Sequence, residues 1–367
     1  MFGAGLRRLS VGIVGYFMAS TAGTKILNTT RLISTDIEVC QVTAPLGTEI
    51  AWEIESLLLK IFEYGDYSFR SALRGEYSDT LNSTFFLARY TEKLIGAAGC
   101  LCDRKNPSIS IVGPVGVDVE HRGNGVGSKL VESIINYLRD RGCMAIYLGT
   151  SGPDEVVNFY EKLGFQKYKG IVMRHLLCSQ RDFEEYFKTA DTNIRRAVWG
   201  DFPGISVLAV FPNSFYTFDF QRYVFSSKYA GPSRFLSIFP EMMRAFARYG
   251  GFANVLVANH KRTVVGIAHI NKLPSKTQQH VAELDFYVHD NFTDQAERLL
   301  RATLEESKDL SVNKVNCYCL GCDYLKRNII DKLGGRQIAI LPGNVFVNHK
   351  YEDVLVYQLG ERINAKD

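Results

Sequence analysis

The sequence predicts an α/β protein of two tandem domains, each a mixed central sheet flanked by helices. Three observations carry that expectation. The first is that the chain matches itself. FFLARYTEKLIGAAGCL, from Phe85, matches NVLVANHKRTVVGIAHI, from Asn254, and Gly96 falls on Gly266, 170 positions later. VDVEHRGNGVGSKLVESIINYL matches YVHDNFTDQAERLLRATLEES with Leu130 on Leu299, YEKLGF matches IDKLGG with Gly164 on Gly334, and IEVCQVT falls on ISVLAVF with Ile37 on Ile205. Four blocks in one order, at offsets of 168 to 170, mark a duplication. The second observation is that strand-like and helix-like periodicities alternate within each copy. The third is a glycine-rich turn, HRGNGVG, which hands a strand over to a helix. The expected boundaries are an extension over 1–35, a first domain over 36–177, a polar linker over 178–203 and a second domain over 204–360.

The elements of the first copy follow in order. IEVCQVT opens as a strand and TEIAWEIESLLLKIF follows as a helix. STFFLARY and KLIGAAGCL form a hairpin with a tight turn at Thr91 and Glu92. SISIVGPVGVDV is the central strand. The next helix carries Val126, Leu130, Val131, Ile134, Ile135 and Leu138 at helical spacing, and Gly142 stops it. MAIYL is a buried strand. EVVNFYEKL is a short helix ending on Gly164, a residue suited to the left-handed position after a helix. Closing strands complete the copy. In the second copy ISVLAVF takes the place of the opening strand.

Composition excludes several classes. Over 367 residues, a hydrophobic content of 46% with 22% charged residues is that of an ordinary globular chain. A net charge of +4 without a Lys/Arg run gives no footprint for nucleic acid. No apolar run reaches the roughly 18 residues of a membrane span. CYCLGC, Cys317 to Cys322, lacks a fourth metal ligand, so buried thiols are expected and no metal. The first 35 residues contain no Asp or Glu and carry Arg7, Arg8, Lys25 and Arg31. They resemble a mitochondrial transit segment; a short secretory signal and a plain extension are the alternatives. The expected location is cytoplasmic or mitochondrial.

A helix start exposes unbonded N–H groups and the positive end of the helix dipole, where phosphates settle. Gly123, Gly125 and Gly127 alternate at that junction, so backbone rather than side chain would meet the anion. One positive-φ glycine would serve a simple turn; three read as a pyrophosphate cradle. The dinucleotide fingerprint fails at Ser128, and no P-loop is present. What fits is R-x-x-G-x-G, at Arg122, Gly125 and Gly127.

With these residues in place, the chain resembles the GNAT superfamily of acyl-CoA N-acyltransferases. VDVEHRGNGVG is similar to its acetyl-CoA loop, and EVVNFYEKLGF to its second signature. The resemblance covers Asp36 to about Leu177 strongly and Gly204 to Leu359 weakly. It implies acetyl-CoA as co-substrate. The pantetheine arm would bond to backbone at Val117 and Val119, and the pyrophosphate to the N–H groups of Arg122, Gly123, Asn124, Gly125, Val126, Gly127 and Ser128. It further implies that an amine attacks the thioester directly, that a strand N–H near Val119 polarises the carbonyl, and that Tyr160 protonates the leaving thiolate. Pro153 stands where the family often has an Asn seven residues before the tyrosine; Asn158 is the candidate replacement. The central strand carries no carboxylate before Asp118, which is expected to point outward with the loop. Water, His175, Glu63 and Asp66 stay open as proton acceptors.

At an offset of 169, Arg122, Gly125 and Gly127 fall on Asn291, Asp294 and Ala296, and at 170 Tyr160 falls on Ile330. The second copy is therefore expected to be a scaffold that has lost cradle and acid. FPNSFYTFDFQRYVF, at its start, reads as core packing, with a pocket lining as the alternative. The expected activity is transfer of an acetyl or other short acyl group to an amine-bearing acceptor. The alternative is an acetyl-CoA-binding sensor without turnover. A homodimer stays open.

Overall fold

The computed structural model describes residues 37–62, 67–150, 152–211, 214–218, 224–225, 234–259, 262–347 and 349–359. The acid-poor extension lies outside the described residues. In the first half, β1 (Ile37–Thr43) leads to α1 (Thr48–Phe62) and α2 (Tyr67–Leu73). The strands β2 (Leu81–Tyr90), β3 (Lys93–Asp103) and β4 (Ile109–Val117) follow. Then come α3 (Val126–Asp140), β5 (Ala145–Gly149), α4 (Asp154–Lys162), β6 (Gln166–Lys169) and β7 (Val172–Leu176). After α5 (Gln180–Glu185), the second half holds β8 (Thr192–Arg196), α6 (Phe202–Leu208), the short β9 (Thr217–Phe218) and β10 (Val224–Phe225), and α7 (Arg234–Tyr249). It continues with β11 (Gly251–Ala258), β12 (Thr263–Lys272), β13 (Val281–Val288), α8 (Ala296–Glu306) and β14 (Lys314–Leu320). It closes with α9 (Tyr324–Lys332), β15 (Arg336–Val347) and β16 (Lys350–Leu359).

The duplication is visible in the topology. The first seven-stranded sheet runs β1-β2-β3-β4-β5-β7-β6, and the second runs β8-β11-β12-β13-β14-β16-β15. Each has one parallel pair, β4 with β5 and β13 with β14, where a helix must carry the chain back. Gly96 and Gly266 occupy one place, opposite Val117 and Val288 at the ends of the central strands. A Cβ on either would meet its neighbours at 3.0 to 3.3 Å, tighter than ordinary contact.

Local signals explain the elements. The β2–β3 turn puts Thr91 and Glu92 at φ of 45° and 67°, the mirror-image turn that suits the twist of a hairpin. The residues buried on α3 are Val126, Leu130, Val131, Ile134, Ile135 and Leu138, the stripe read from periodicity. Gly142 and Gly164 both lie at positive φ beyond their helices.

One expected element is wrong. ISVLAVF is not the opening strand of the second half; its residues from Ile205 to Leu208 close α6. The opening strand is β8, thirteen residues earlier by its first residue, and it pairs with β11 as β1 pairs with β2. The second sheet thus draws its first strand from within the stretch read as a linker, 178–203. A continuous apolar run does not distinguish a buried helix from a buried strand. Here α6 is buried on all sides, and Pro203 in its first turn was the discriminating signal.

One face of the first sheet carries α3 and α4, packed through Phe86, Ile95, Ile146 and Leu148. The other face is shared. Over Phe85, Leu87, Leu94 and Ala97 lies α1. Over Ile109, Ile111, Ala145, Tyr147 and Val172 lie α6 and α7, in one apolar cluster that continues to Val255, Ile267 and Leu284 of the second sheet. From the aromatic stretch, Phe211, Phe215 and Tyr216 are buried in the core; residues 219–223 lie outside the described residues.

Candidate active site

The site begins where β4 leaves β5. The two strands pair only over Ile109–Ala145, Ser110–Ile146 and Ile111–Tyr147. Beyond that, a bulge sets Gly113 and Pro114 against the single residue Gly99 of β3, and a bulge bends its strand. The last six residues of β4, Val112 to Val117, therefore border a split rather than a neighbour. The Asp118 N–H bonds to the Ile95 carbonyl at 2.9 Å, so antiparallel alternation turns the backbone of Val117 and Val115 toward the split. Arg122 Nε donates to the Val117 carbonyl at 3.1 Å. Val119 is not on this edge. The strand ends at Val117, and Val119 sits in a 3-10 turn, Val119–His121, with its side chain in solvent.

Asp118 does not point outward as expected. Its side chain is 3% exposed and its carboxylate meets Lys60 Nζ of α1 at 2.8 Å. Its other oxygen accepts from the Glu120 N–H at 3.4 Å. Burial opposes ionisation of Asp118, but the Lys60 contact outweighs it and holds the carboxyl below the usual range. The turn that starts the cradle is thereby tied to α1.

Gly123 and Gly125 lie at φ of 79° and 77°. A Cβ on either would meet nothing within 4 Å, whereas on Gly127 it would come to 3.3 Å of Phe159 Cζ. Two of the three glycines are thus required by the backbone and the third by α4; the reading in which one glycine would serve a turn undercounted. Gly125 caps α3 without a side-chain bond, and the first helical N–H with an acceptor is Lys129, bonded to the Gly125 carbonyl. From Gly123 through Asn124, Gly125, Val126 and Gly127 to Ser128, the backbone N–H groups have no acceptor among the described residues. They form an open row at the positive end of a 15-residue helix.

Tyr160 lies on α4, with its ring edge-on to Phe159 and Phe165 at 4.9 and 5.7 Å between centroids. Burial raises its hydroxyl pKa, so it stays protonated at neutral pH. Asn158, next but one before it, is exposed. His175 stands beyond Phe165, 5.3 Å from that ring, and beneath Gly164. Phe165 thus packs against both Tyr160 and His175. Burial lowers the His175 pKa, and its contact with the Leu163 backbone opposes this only in part. Glu63 and Asp66 lie outside the described residues. Among the described residues, Asp118, Glu120 and His121 are the one trio whose potential ligand atoms lie within 4.8 Å of one another, and the carboxylate of Asp118 is already paired with Lys60. In the Cys317–Cys322 run, burial pushes the Cys317 thiol up to about 12 and raises that of Cys319, so both stay protonated.

The second half shows what replaces this arrangement. His289 takes the position of Asp118, with its N–H on the Val265 carbonyl at 2.8 Å. The Asn291 N–H bonds to His289 Nδ1 at 3.2 Å, as that of Glu120 does to Asp118. By this contact Asn291 stands opposite Glu120, and Gln295 precedes the helix as Gly125 does. The buried stripe, Leu299, Leu300 and Thr303 against Leu130, Val131 and Ile134, keeps the offset of 169 that sets Asp294 against Gly125. No glycine occurs between His289 and Ala296 in either register.

The split itself is also filled. β13 pairs with β14 only over Val281–Leu284, and β9 lies against both strands. The Tyr216 N–H donates to Asp323 Oδ2 at 2.7 Å, and the Tyr216 carbonyl accepts from Lys326 Nζ at 2.9 Å. Lys326, fully buried, also pairs with Asp285 and lies 5.1 Å from the centre of the Phe286 ring. Phe215 packs on the same ring at 5.4 Å. This plug had no signal in the duplicated blocks, because it comes from a stretch absent from the first copy.

Comparison with known proteins agrees with the first half. Residues 50–165 match the Acetyltransferase (GNAT) family. N-alpha-acetyltransferase 30 of Schizosaccharomyces pombe is 31% identical over 94 residues, covering 25% of this chain and 63% of that protein. Human N-acetyltransferase 8B is 30% identical over 102 residues, covering 26% of this chain and 44% of that protein. The chain thus spans less than two thirds of the length of these relatives. Among solved structures, an N-acetyltransferase from Staphylococcus aureus Mu50 aligns with a TM-score of 0.39 at 16% identity, over 47% of this chain and 99% of that one.

Proposed function

We propose, from the premise that residues 50–165 are a domain of the acetyltransferase (GNAT) family, that the chain transfers an acetyl or other short acyl group from its CoA thioester to an amine in a ternary complex. The observation that carries this reading is the row of unbonded N–H groups from Gly123 to Ser128, beside a split in the sheet that carries Tyr160 in the cluster on its α3 and α4 face. The row suits a pyrophosphate. The free N–H of Val117 suits the amide-bearing arm that follows it, with Arg122 holding the adjacent carbonyl. Val115 takes the place that Val119 was expected to fill.

In the reaction the amine nitrogen bonds to the thioester carbon and the C–S bond breaks. The leaving sulfur takes the Tyr160 hydroxyl proton, which burial keeps on the ring until that moment. The amine proton passes to water, His175, Glu63 or Asp66, since Asp118 is committed to Lys60. The second half, with its split filled, contributes no second cofactor site. Its role is structural support and substrate walling.

Thiol release from acetyl-CoA in the presence of amines tests the reaction. In Tyr160→Phe, turnover near neutrality should fall by about a hundredfold, within the usual range for a general acid. Acetyl-CoA affinity should persist, because the ring still fills its place between Phe159 and Phe165. The deficit should shrink as pH passes the thiol pKa of about 8.5, where the thiolate leaves unaided. Binding of one acetyl-CoA per chain without thiol release from any amine would favour the sensor instead.

A further inference from the structure

The loop that carries the N–H row has few anchors. Gly123 and Gly125 face open space where a Cβ would stand. Among the described residues, one hydrogen bond runs from residues 118–128 to an element other than β3, β4 and α3, and it joins Asp118 to Lys60 of α1. The last turns of α1 hold this corner twice. Leu58 and Ile61 would both stand 2.9 Å from a Cβ on Gly116, two residues before Asp118. Lys60, with a side chain 59% exposed, reaches the buried carboxylate at 2.8 Å. Asp118 gives its two oxygens different tasks: Oδ1 accepts from the Glu120 N–H and shapes the 3-10 turn, while Oδ2 takes Lys60. The second half separates the two. His289 keeps the first task, accepting from the Asn291 N–H at 3.2 Å, but its ring stacks on Phe187 at 5.0 Å and burial lowers its pKa. The turn-making contact thus survives in the half without a cradle, and the ion pair stands in the half that has one.

We infer that Lys60 is a positioning residue for the acyl-CoA: through Asp118 it fixes the direction in which the N–H groups from Gly123 to Ser128 are presented. The inference rests on the proposed function, in which that row receives the pyrophosphate. A row already held in its bound direction loses less conformational freedom when the anion arrives, and so binds it more tightly. A pyrophosphate would also feel the two charges directly, and at Asp118 the two effects have opposite signs. As a bare charge near the anion the carboxylate opposes binding, so its removal would tighten the complex. As the anchor of the row it favours binding, so its removal loosens the complex.

Calorimetry of acetyl-CoA with the full chain tests this. Lys60→Met, at a largely exposed position, should fold and raise Kd by about tenfold, within the coupling found between contacting residues. Lys60→Arg should stay within about twofold of the unaltered chain, because its charge can reach the same single oxygen. Asp118→Asn keeps an oxygen for the Glu120 N–H, asparagine being as good a cap as aspartate. It should nevertheless loosen binding as Lys60→Met does, and the double variant should be no weaker than either single one. In thiol-release assays the loss should fall in KM for acetyl-CoA and leave kcat in place, since Tyr160 stands on α4. Tighter binding by Asp118→Asn would overturn the inference, as would an unchanged Kd in Lys60→Met. So would a Lys60→Arg variant as weak as Lys60→Met. A full chain that binds no acetyl-CoA at all would instead overturn the reading of the cradle beneath it.

Discussion

At the scale of residues, the cradle depends on conformation and charge together, and Gly125 separates the two. Its φ of 77° disfavours any side chain, by about 1–2 kcal/mol for most residues and less for Asn or Asp. Gly125→Asn and Gly125→Asp should therefore fold comparably. The aspartate, beside the pyrophosphate, should weaken acetyl-CoA binding far more than the asparagine, as calorimetry of the pair would show. Equal losses would mean that shape alone matters there. Much of this residue-level detail was legible: Arg122, the glycines and Tyr160 stand in local motifs with local causes. Asp118 was misjudged because its partner, Lys60, lies 58 residues away. Val119 was misplaced because nothing local marks where β4 stops and a 3-10 turn begins.

At the scale of elements, periodicity served wherever one face met solvent. The stripe on α3 was complete because its other face is wet. It failed for α6, buried all round, and for β8, a short and largely polar edge strand. The filled split of the second half shows the same limit: a buried lysine on α9 reads in sequence as an ordinary surface lysine. Lys326 has 0% exposure and ties Tyr216, Asp285 and the Phe286 ring together. Removing one member of a buried pair leaves the other charge stranded, at about 3–5 kcal/mol. Lys326→Met should accordingly lower unfolding free energy by that order in urea titration. Lys326→Met combined with Asp285→Leu should recover much of it. A double variant no better than the single one would show that the Tyr216 carbonyl, not the carboxylate, is what the lysine chiefly serves.

At the scale of the molecule, the two sheets share one apolar cluster through α6 and α7. A fragment ending at Cys178 would expose Ile109, Ile111, Tyr147 and Val172 together. It should bind a hydrophobic dye and aggregate where the full chain does not; dye fluorescence and light scattering would show it, and a soluble, dye-silent fragment would contradict it. The duplication could be seen from sequence because the two halves kept the same punctuation, but the mode of their union could not, since it depends on helices outside the matching blocks. The filled split has a thermodynamic side as well. A binding slot is a place where a sheet has given up its own pairing, and an empty one leaves backbone and apolar surface unsatisfied until a ligand arrives. In this chain that liability falls on one half only. The other has closed the same opening with its own polypeptide, and so acts as a permanently liganded copy whose stability is available to the half that, on the proposed function, stays vacant between turnovers.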